Sequence, residues 1–212
     1  MKTRQLKEQK FWDKFARYYD LFIKKTLGKT YEVILENIDT ALYPNQNVLE
    51  IGTGTGIIPF TICTKVNSVV ATDISPEMIL IAKQKQSELH IKNIDFQVQD
   101  AYQLSIADHS FDLVIASNIL HLLYEPEQPI SEIKRVMKDD GIFIAPTFCV
   151  GESLKSKIIS SIAGALSGFK IVNKWCINDF KSVLIDNGFE IKKFVKVEGR
   201  FPLVYVVMKK SS

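Results

Sequence analysis

The sequence is poor in cysteine, and the few cysteines it has exclude several classes of site. Its 212 residues include three cysteines, Cys63, Cys149 and Cys176, which are widely spaced and form no CxxC pair. Zinc ribbons and dithiol redox sites need closely spaced cysteines, so we expect neither, and no other metal-ligand spacing is visible. The odd cysteine count and the lack of a secretory signal segment predict a chain that works in the reducing cytoplasm.

One-sided charge and long apolar runs are also missing. The 27 basic and 24 acidic residues give a net charge of +3 and are mixed along the chain, which predicts no dedicated nucleic-acid surface. The most apolar long stretch, residues 157–170, is shorter than the roughly 20 residues that cross a bilayer, so no transmembrane segment is expected. With 46% hydrophobic residues, the chain is expected to form one domain, residues 1–212, as a monomer or homodimer.

From residue 47 onward, strand-like and helix-like patterns alternate. The predicted strands are Asn47–Ile51, Ser68–Thr72, Ile94–Gln99, Phe111–Ser117 and Ile142–Ala145, with Asp139, Asp140 and Gly141 as a turn before the last. The helices predicted between them are 57–65, 76–89 and 130–137. Such alternation predicts an α/β fold with a doubly wound, mostly parallel sheet and helices on both faces.

The end of the chain has a different pattern. A helix is predicted over residues 178–187, and two strands follow it, Phe189–Val197 and Leu203–Lys209. The five residues that join these strands are too few for a helical crossover, so the pair must be antiparallel. We therefore expect a sheet of seven strands that ends in an antiparallel hairpin.

Residues 1–43 precede the alternating region and predict two helices, Gln5–Lys25 and Lys29–Leu42. In the first helix Phe11, Phe15, Tyr18 and Phe22 recur at spacings of four, three and four residues. Such a stripe ordinarily marks a buried helix face. It also fits an N-terminal helical lid, and the two interpretations are compatible because a closed lid must bury something.

Three glycines at alternate positions follow the first predicted strand: Gly52-Thr53-Gly54-Thr55-Gly56. The helix that begins there offers free backbone N–H groups, and without Cβ atoms an anionic or carboxylate-bearing ligand can approach them closely. Asp73 ends the second strand and can accept hydrogen bonds from ribose hydroxyls. Asp100 ends the third strand and can accept from an adenine amino group. Each aspartate alone could simply belong to a turn. Their order and spacing together predict that one nucleoside ligand binds across the edge of the sheet.

The dinucleotide fingerprint of nicotinamide enzymes places its third glycine at position 57, and this chain has Ile57 there. The motif set instead resembles class I S-adenosylmethionine-dependent methyltransferases. The similar segments are residues 50–56, 72–78, 99–104, 111–121 and 132–143, within a resemblance that covers roughly Val48 to Lys209. It implies a Rossmann-like fold, S-adenosyl-L-methionine as cofactor and methyl transfer to an acceptor.

Residues 12–20 are similar to the N-termini of the small-molecule branch of that family, type 11, which includes quinone-biosynthesis C-methyltransferases. A small-molecule substrate is therefore implied. The segment 148–175 lies where this fold usually shapes its substrate pocket. Its apolar residues imply an apolar or aromatic acceptor, or else ordinary packing or a helix at a partner or membrane surface. These residues are Leu154, Ile158, Ile159, Ile162, Leu166 and Phe169.

The resemblance also implies residue roles. The residues implied to contact the cofactor are Tyr19, Glu50, Gly52, Thr53, Gly54, Gly56, Asp73, Ile74, Asp100, Ala101, Ser117 and Asn118. Glu50 is expected either to organise the glycine loop or to reach the cofactor's ammonium group. His121 follows the fourth strand, and as a neutral imidazole it could take a proton from the acceptor. The alternative for His121 is a structural histidine that only forms hydrogen bonds.

Three other functions stay open on the sequence alone. A nicotinamide-dependent oxidoreductase is disfavoured by Ile57 and by the final hairpin. Methylation of RNA or protein is conceivable, although Ser117-Asn118-Ile119-Leu120 differs from the Asn-Pro-Pro-Tyr-like signature of amino-group nucleic-acid methyltransferases. A cofactor-binding module without catalysis would carry the same motifs.

Overall fold

A computed structural model describes residues 2–154, 158, 160–161, 171–197 and 202–211 of the chain. The helices are α1 (Lys2–Thr26), α2 (Gly28–Asp39), α3 (Ile57–Ile62), α4 (Pro76–Glu88), α5 (Glu127–Val136) and α6 (Ile177–Asp186). The strands are β1 (Asn47–Ile51), β2 (Ser68–Asp73), β3 (Ile94–Val98), β4 (Phe111–Ile115), β5 (Met137–Ile144), β6 (Thr147–Phe148), β7 (Phe189–Val197) and β8 (Leu203–Lys210).

The strands form one mixed sheet in the order β3-β2-β1-β4-β5-β8-β6. Strand β7 lies outside this order and pairs with β8. The first five strands are mutually parallel, and β8 is antiparallel to β5, β6 and β7. The predicted parallel sheet and closing hairpin are therefore confirmed. The described residues form eight strands rather than seven, because the chain pairs with β8 again beyond Pro146 and forms the two-residue strand β6.

The predicted turn at Asp139, Asp140 and Gly141 is wrong, because these residues lie within β5. Phe111 of β4 pairs with Met137, whereas Leu113 pairs with Ile142, so the register shifts between these pairs. The extra residues on β5 form an irregularity in the strand. Polar residues and a glycine that would suit a turn also suit such a bulge, which is why the sequence pattern does not separate the two.

The core lies on both faces of the sheet. Adjacent residues in β4 show this: Val114 packs in the cluster with α5 and α6, and Leu113 packs in the cluster with α2, α3 and α4, and both are fully buried. Burial of such a side chain contributes about 1.5–3 kcal/mol. A parallel strand buried on both faces places its carboxyl end rigidly, and the candidate site is built on those ends.

Candidate functional site

A cavity lies at the carboxyl ends of the parallel strands, where strand order reverses between β1 and β4. Nine of the predicted cofactor-contacting residues line it: Tyr19, Gly52, Gly54, Asp73, Ile74, Asp100, Ala101, Ser117 and Asn118. They come from α1 and from the segments that follow four different strands. The structure therefore brings together residues up to about half the chain apart in sequence.

The wall formed by the glycine loop has no room for side chains. Gly52 and Gly54 have φ values of +71° and +55°, a region that residues with a Cβ rarely adopt. A Cβ on Gly52 would lie 2.6 Å from Cδ1 of Ile119, and one on Gly54 would lie 3.1 Å from Cε1 of Tyr19. The loop thus presents bare backbone to the cavity, as the sequence pattern predicts.

The carboxylate of Asp73 joins the glycine loop to the start of α4. Its Oδ2 accepts a 2.8 Å hydrogen bond from the Gly54 N–H, and its Oδ1 accepts a 2.9 Å bond from the Ser75 N–H. Burial raises the pKa of Asp73 to about 6, because desolvation penalises the charged form more than these N–H groups stabilise it. The oxygens keep lone pairs for a ligand, which is what ribose recognition at this position requires.

Asp100 is held from both sides. Its Oδ2 accepts a 2.7 Å hydrogen bond from Nη2 of Arg4, and its Oδ1 accepts one from the Tyr102 N–H at 3.1 Å. The Arg4 guanidinium also lies 3.6 Å from the centre of the Tyr102 ring. Sequence reasoning did not identify Arg4, since a single charge near the start of a helix carries no pattern that separates it from a solvated residue.

Three predicted residues lie behind the cavity wall, outside its described lining. Thr53 Oγ1 donates a 2.5 Å hydrogen bond to Oε2 of the buried Glu50, which favours the predicted role of Glu50 in organising the loop. Burial raises the pKa of Glu50 to about 8. Gly56 (φ +88°) lies against aromatic rings, and a Cβ there would be 2.8 Å from Phe60 and 2.9 Å from Phe96. Gly56 therefore serves packing.

His121 is buried and lies outside the described lining of the cavity. It is 2% exposed and packs edge-on against Phe148 with ring centres 5.8 Å apart. Burial lowers its pKa to about 3, which keeps the imidazole neutral and makes it a weak proton acceptor. Its carbonyl oxygen accepts from the Asn173 N–H at 2.9 Å. Its burial outside the described cavity lining favours the structural alternative, and the catalytic role stays a prediction.

Asn118 lines the cavity and carries an acceptor left unpaired by the described residues. It has φ +57°, a conformation that Asn tolerates better than most residues. Its Oδ1 is buried and has no hydrogen-bond partner within the described structure. Buried polar atoms are usually paired, so an unpaired acceptor on a residue that lines the cavity is suited to a ligand's donor group.

Helix α1 lines one side of the cavity and is bonded to residues of the cavity and the neighbouring loops near its start, in its middle and near its end. Near its start Arg4 pairs with Asp100, in its middle Asp13 Oδ1 accepts a 2.6 Å hydrogen bond from Ser75 Oγ, and near its end Asp20 accepts one from Thr55 Oγ1. Trp12 and Tyr19 point from this helix into the cavity. Helix α1 therefore supplies part of the cavity wall, and its action as a lid stays a prediction.

The predicted aromatic stripe of α1 is not a buried face. Tyr18 and Phe22 are 65% and 43% exposed, whereas Ala16 and Ile23 are buried. Periodicity identified the helix correctly but chose the wrong face, because the side that covers the cavity is mixed in polarity: Glu8, Trp12 and Tyr19 lie on it.

The predicted pocket segment 148–175 is described only in part. Leu154 and Ile158 are 75% and 51% exposed, so they do not line the described cavity. The other residues of that prediction, Ile159, Ile162, Leu166 and Phe169, lie outside the described residues. Within the described ranges, no helix combines the length and hydropathy needed to cross a membrane.

Comparison with known proteins points in one direction. Residues 42–188 match the family described as a methyltransferase domain. The ubiquinone/menaquinone biosynthesis C-methyltransferase UbiE of Rickettsia prowazekii is 25% identical over 190 residues, which cover 78% of this chain and 77% of that protein. A malonyl-[acyl-carrier protein] O-methyltransferase of Marinomonas sp. is 31% identical over 148 residues, covering 67% and 52%.

Other curated relatives are much longer than the matched region. The chain spans 5% of a highly reducing polyketide synthase of Penicillium polonicum, 7% of a probable polyketide synthase of Dictyostelium discoideum and 39% of an arsenite methyltransferase of Halobacterium salinarum. Among solved structures, the PH0226 protein of Pyrococcus horikoshii OT3 superposes with a TM-score of 0.72 at 22% identity, covering 92% of this chain and 99% of that one. At such identity the likeness shows the fold alone.

Proposed function

The chain belongs to the methyltransferase domain family, and on that premise we propose that it transfers a methyl group from S-adenosylmethionine to a small apolar or aromatic acceptor. The observation that carries the proposal is the cavity at the strand ends, where side-chain-free backbone and two carboxylates meet. Two relatives support methyl transfer, since one is named a ubiquinone/menaquinone biosynthesis C-methyltransferase and the other a malonyl-[acyl-carrier protein] O-methyltransferase.

The cavity residues fit the cofactor. The backbone of Gly52 and Gly54, which a Cβ would obstruct, would receive its methionine end. Asp73, whose oxygens keep free lone pairs, would accept from the ribose hydroxyls. Ile74 and Ala101 would lie against the adenine ring beside Asp100.

When bound, the cofactor supplies a methyl group on a sulfonium, which is already activated toward a nucleophile. The protein must therefore chiefly position the acceptor and exclude water, and positioning can contribute about 7–11 kcal/mol in favourable cases. Helix α1 would contribute to both positioning and water exclusion, because the hydrogen bonds of Asp13 and Asp20 hold Trp12 and Tyr19 over the cavity. The Asn118 Oδ1 would accept a hydrogen bond from the cofactor's ammonium group or from the acceptor.

The groups near Asn118 favour an acceptor that ionises easily. Tyr19 stays protonated at neutral pH, because burial raises its pKa well above the usual value, so it can donate a hydrogen bond but cannot serve as a base. Ser117 and Asn118 are neutral, and His121 is a weak base. A phenol or an activated methylene, which gives up its proton readily, suits such a site better than an aliphatic alcohol. The apolar lining at Ile119 and Leu122 suits the rest of such a molecule.

The test begins with the purified full chain and calorimetric titration of S-adenosylmethionine, S-adenosylhomocysteine and NAD. We expect micromolar dissociation constants for the first two ligands and no detectable binding of NAD. Asp73→Asn should weaken both, whereas Asp95→Asn, which changes an exposed aspartate on β3, should not. Transfer of labelled methyl should then be measured across phenols, quinols, acyl-carrier thioesters and RNA. Tight NAD binding without cofactor binding contradicts the proposal, and cofactor binding without any labelled product indicates a non-catalytic module.

A further inference from the structure

The free acceptor at the Asp100 end of the cavity belongs to the lid helix. Each oxygen of Asp100 already accepts one hydrogen bond, Oδ2 from Arg4 and Oδ1 from the Tyr102 N–H, whereas a nearby oxygen on α1 accepts none from the described residues. Glu8, one turn after Arg4 on α1, lines the same cavity. Its Oε2 accepts a 2.6 Å hydrogen bond from Nη1 of Arg4, whereas its Oε1 is buried and has no partner within the described structure.

We propose that Glu8 is a specificity-determining residue that accepts a hydrogen bond from the exocyclic amino group of the cofactor's adenine ring. The inference rests on the proposed function, since it assumes that this cavity receives an adenosyl group. Glu8 was not among the residues that the sequence motifs suggested, because it lies some 40 residues before the first motif.

Arg4 explains how two carboxylates can be held together at this place. Its guanidinium donates one hydrogen bond to Glu8 and another to Asp100, so the two acids share a single cation. One negative charge remains uncompensated by this cluster. An amino group carries two N–H donors and complements that arrangement, whereas a carbonyl oxygen at the same purine position would face carboxylate lone pairs.

The raised pKa of Glu8 agrees with a carboxylate that lacks a hydrogen-bond donor at Oε1 among the described residues. Burial raises the pKa of Glu8, Arg4 opposes the shift, and the nearby Asp100 adds to it. A ligand N–H placed against Oε1 would replace part of the hydration that the carboxylate has lost. Because Glu8 belongs to α1, base recognition at this point depends on the lid being in place.

The experiment compares two ligands that differ at one purine position. S-Adenosylhomocysteine carries an amino group there, and S-inosylhomocysteine carries a carbonyl oxygen. We expect the wild-type chain to prefer the adenosyl ligand in calorimetric titration. In Glu8→Gln, Arg4 holds the amide oxygen and the NH₂ group takes the place of Oε1, where it donates to the inosyl carbonyl. The preference should therefore fall by about tenfold or more, as expected for loss of a charge-assisted hydrogen bond.

Two further variants complete the test. Glu36→Gln removes an exposed glutamate on α2 and should keep the wild-type preference. Glu8→Ala should lower the preference even if the glutamine variant folds poorly, and melting temperatures identify such a case. An unchanged ligand ratio in folded Glu8 variants overturns this inference while leaving the proposed function intact. Failure of the wild-type chain to bind S-adenosylhomocysteine overturns the proposed function itself, and the inference with it.

Discussion

The Gly54 N–H donates a 2.8 Å hydrogen bond to Oδ2 of Asp73, across 19 residues of sequence. The carboxylate proposed to bind ribose therefore also fixes the glycine loop proposed to receive the methionine end. Its other oxygen accepts from the Ser75 N–H, where α4 begins. The two parts of the nucleoside site are one hydrogen-bonded unit, so changes at Asp73 should affect both.

Substitution of Asp73 should abolish tight cofactor binding. In Asp73→Ala, the ribose hydroxyls lose their acceptor, and the buried N–H groups of Gly54 and Ser75 lose theirs. We expect the dissociation constant of S-adenosylhomocysteine to rise at least about 100-fold, which is the scale of one or two charge-assisted hydrogen bonds. Calorimetry measures this change, with Asp95→Asn as the control. Affinity within a few-fold of wild type would show that ribose is held elsewhere.

Cofactor affinity should also depend on pH through the same carboxylate. The ionised form accepts from the ribose hydroxyls, and burial raises the pKa of Asp73 to about 6. As pH falls through 6 the protonated fraction grows, so affinity should fall between pH 7 and pH 5, approaching about tenfold per pH unit below the pKa. The pKa of Glu50 is raised to about 8, so Glu50 stays largely protonated over this range. Titrations at several pH values should show the slope in the wild type and its loss in Asp73→Asn.

Glu50 makes a separate prediction about folding stability. Its pKa is raised from 4.5 to about 8 in the folded chain because burial penalises the carboxylate. The folded state therefore binds this proton more tightly than the unfolded state, and the associated stability is lost as pH rises from about 4.5 through about 8. Glu50→Gln keeps an oxygen that can accept from Thr53 and has no proton to lose.

The stability advantage of Glu50→Gln over wild type should consequently grow between pH 5 and pH 8. Urea unfolding at fixed temperature measures it, by comparing the two free energies of unfolding at each pH. Glu36→Gln, which removes an exposed carboxylate, serves as the control and should show no such trend. A difference that stays constant with pH would mean that Glu50 is ionised in the folded chain throughout this range.

The sequence predicted the elements that follow strong local rules. β1 and β7 begin and end at the predicted residues, and α4 begins after Ser75, whose Oγ accepts from the Met78 N–H as an N-cap. The glycine loop and the strand-end aspartates were found because fixed spacing along parallel strands places them at one sheet edge. These features depend on a few neighbouring residues, which a single sequence contains.

Features that depend on distant contacts were missed. Arg4 donates to Asp100, nearly 100 residues away, and also to Glu8, and neither Arg4 nor Glu8 belongs to a local pattern. His121 was assigned a role from its place after β4, but its properties come from burial against Phe148, which periodicity does not reveal. The face of α1 that packs is likewise decided by the partner it meets, and that partner is a mixed polar surface.

His121 should behave as a buried neutral residue in solution. Burial lowers its pKa from 6.5 to about 3, so the unfolded state takes up a proton first, and stability is lost as pH falls from about 6.5 toward 3. In His121→Leu this loss should be absent, so the variant should gain stability relative to wild type between pH 6.5 and pH 5. Urea unfolding checks the trend, with the exposed His90→Asn as control. Equal slopes for wild type and His121→Leu would mean that the imidazole is solvated or charged when folded.

The hydrogen bonds of Asp13 should control how firmly α1, the proposed lid, is held against the cavity. Asp13 Oδ1 accepts a 2.6 Å hydrogen bond from the buried Ser75 Oγ and a longer one, 3.4 Å, from the Glu77 N–H, so it joins the middle of α1 to the start of α4. Asp13→Ala removes both bonds without touching the cavity lining. Amide hydrogen exchange across α1 should then speed up several-fold or more, as expected for the loss of about 1–2 kcal/mol of closing energy.

The same variant should separate closure from folding. Because α1 supplies Glu8, Trp12 and Tyr19 to the cavity, a looser helix should weaken binding of S-adenosylhomocysteine by a factor comparable to the change in exchange, and saturating ligand should restore slow exchange. Exchange in the sheet should not change. Lys14→Ala alters the next, exposed residue and should match wild type in every measurement. Faster exchange in Asp13→Ala with unchanged affinity would show that the cofactor binds without the lid, and that α1 serves only the acceptor.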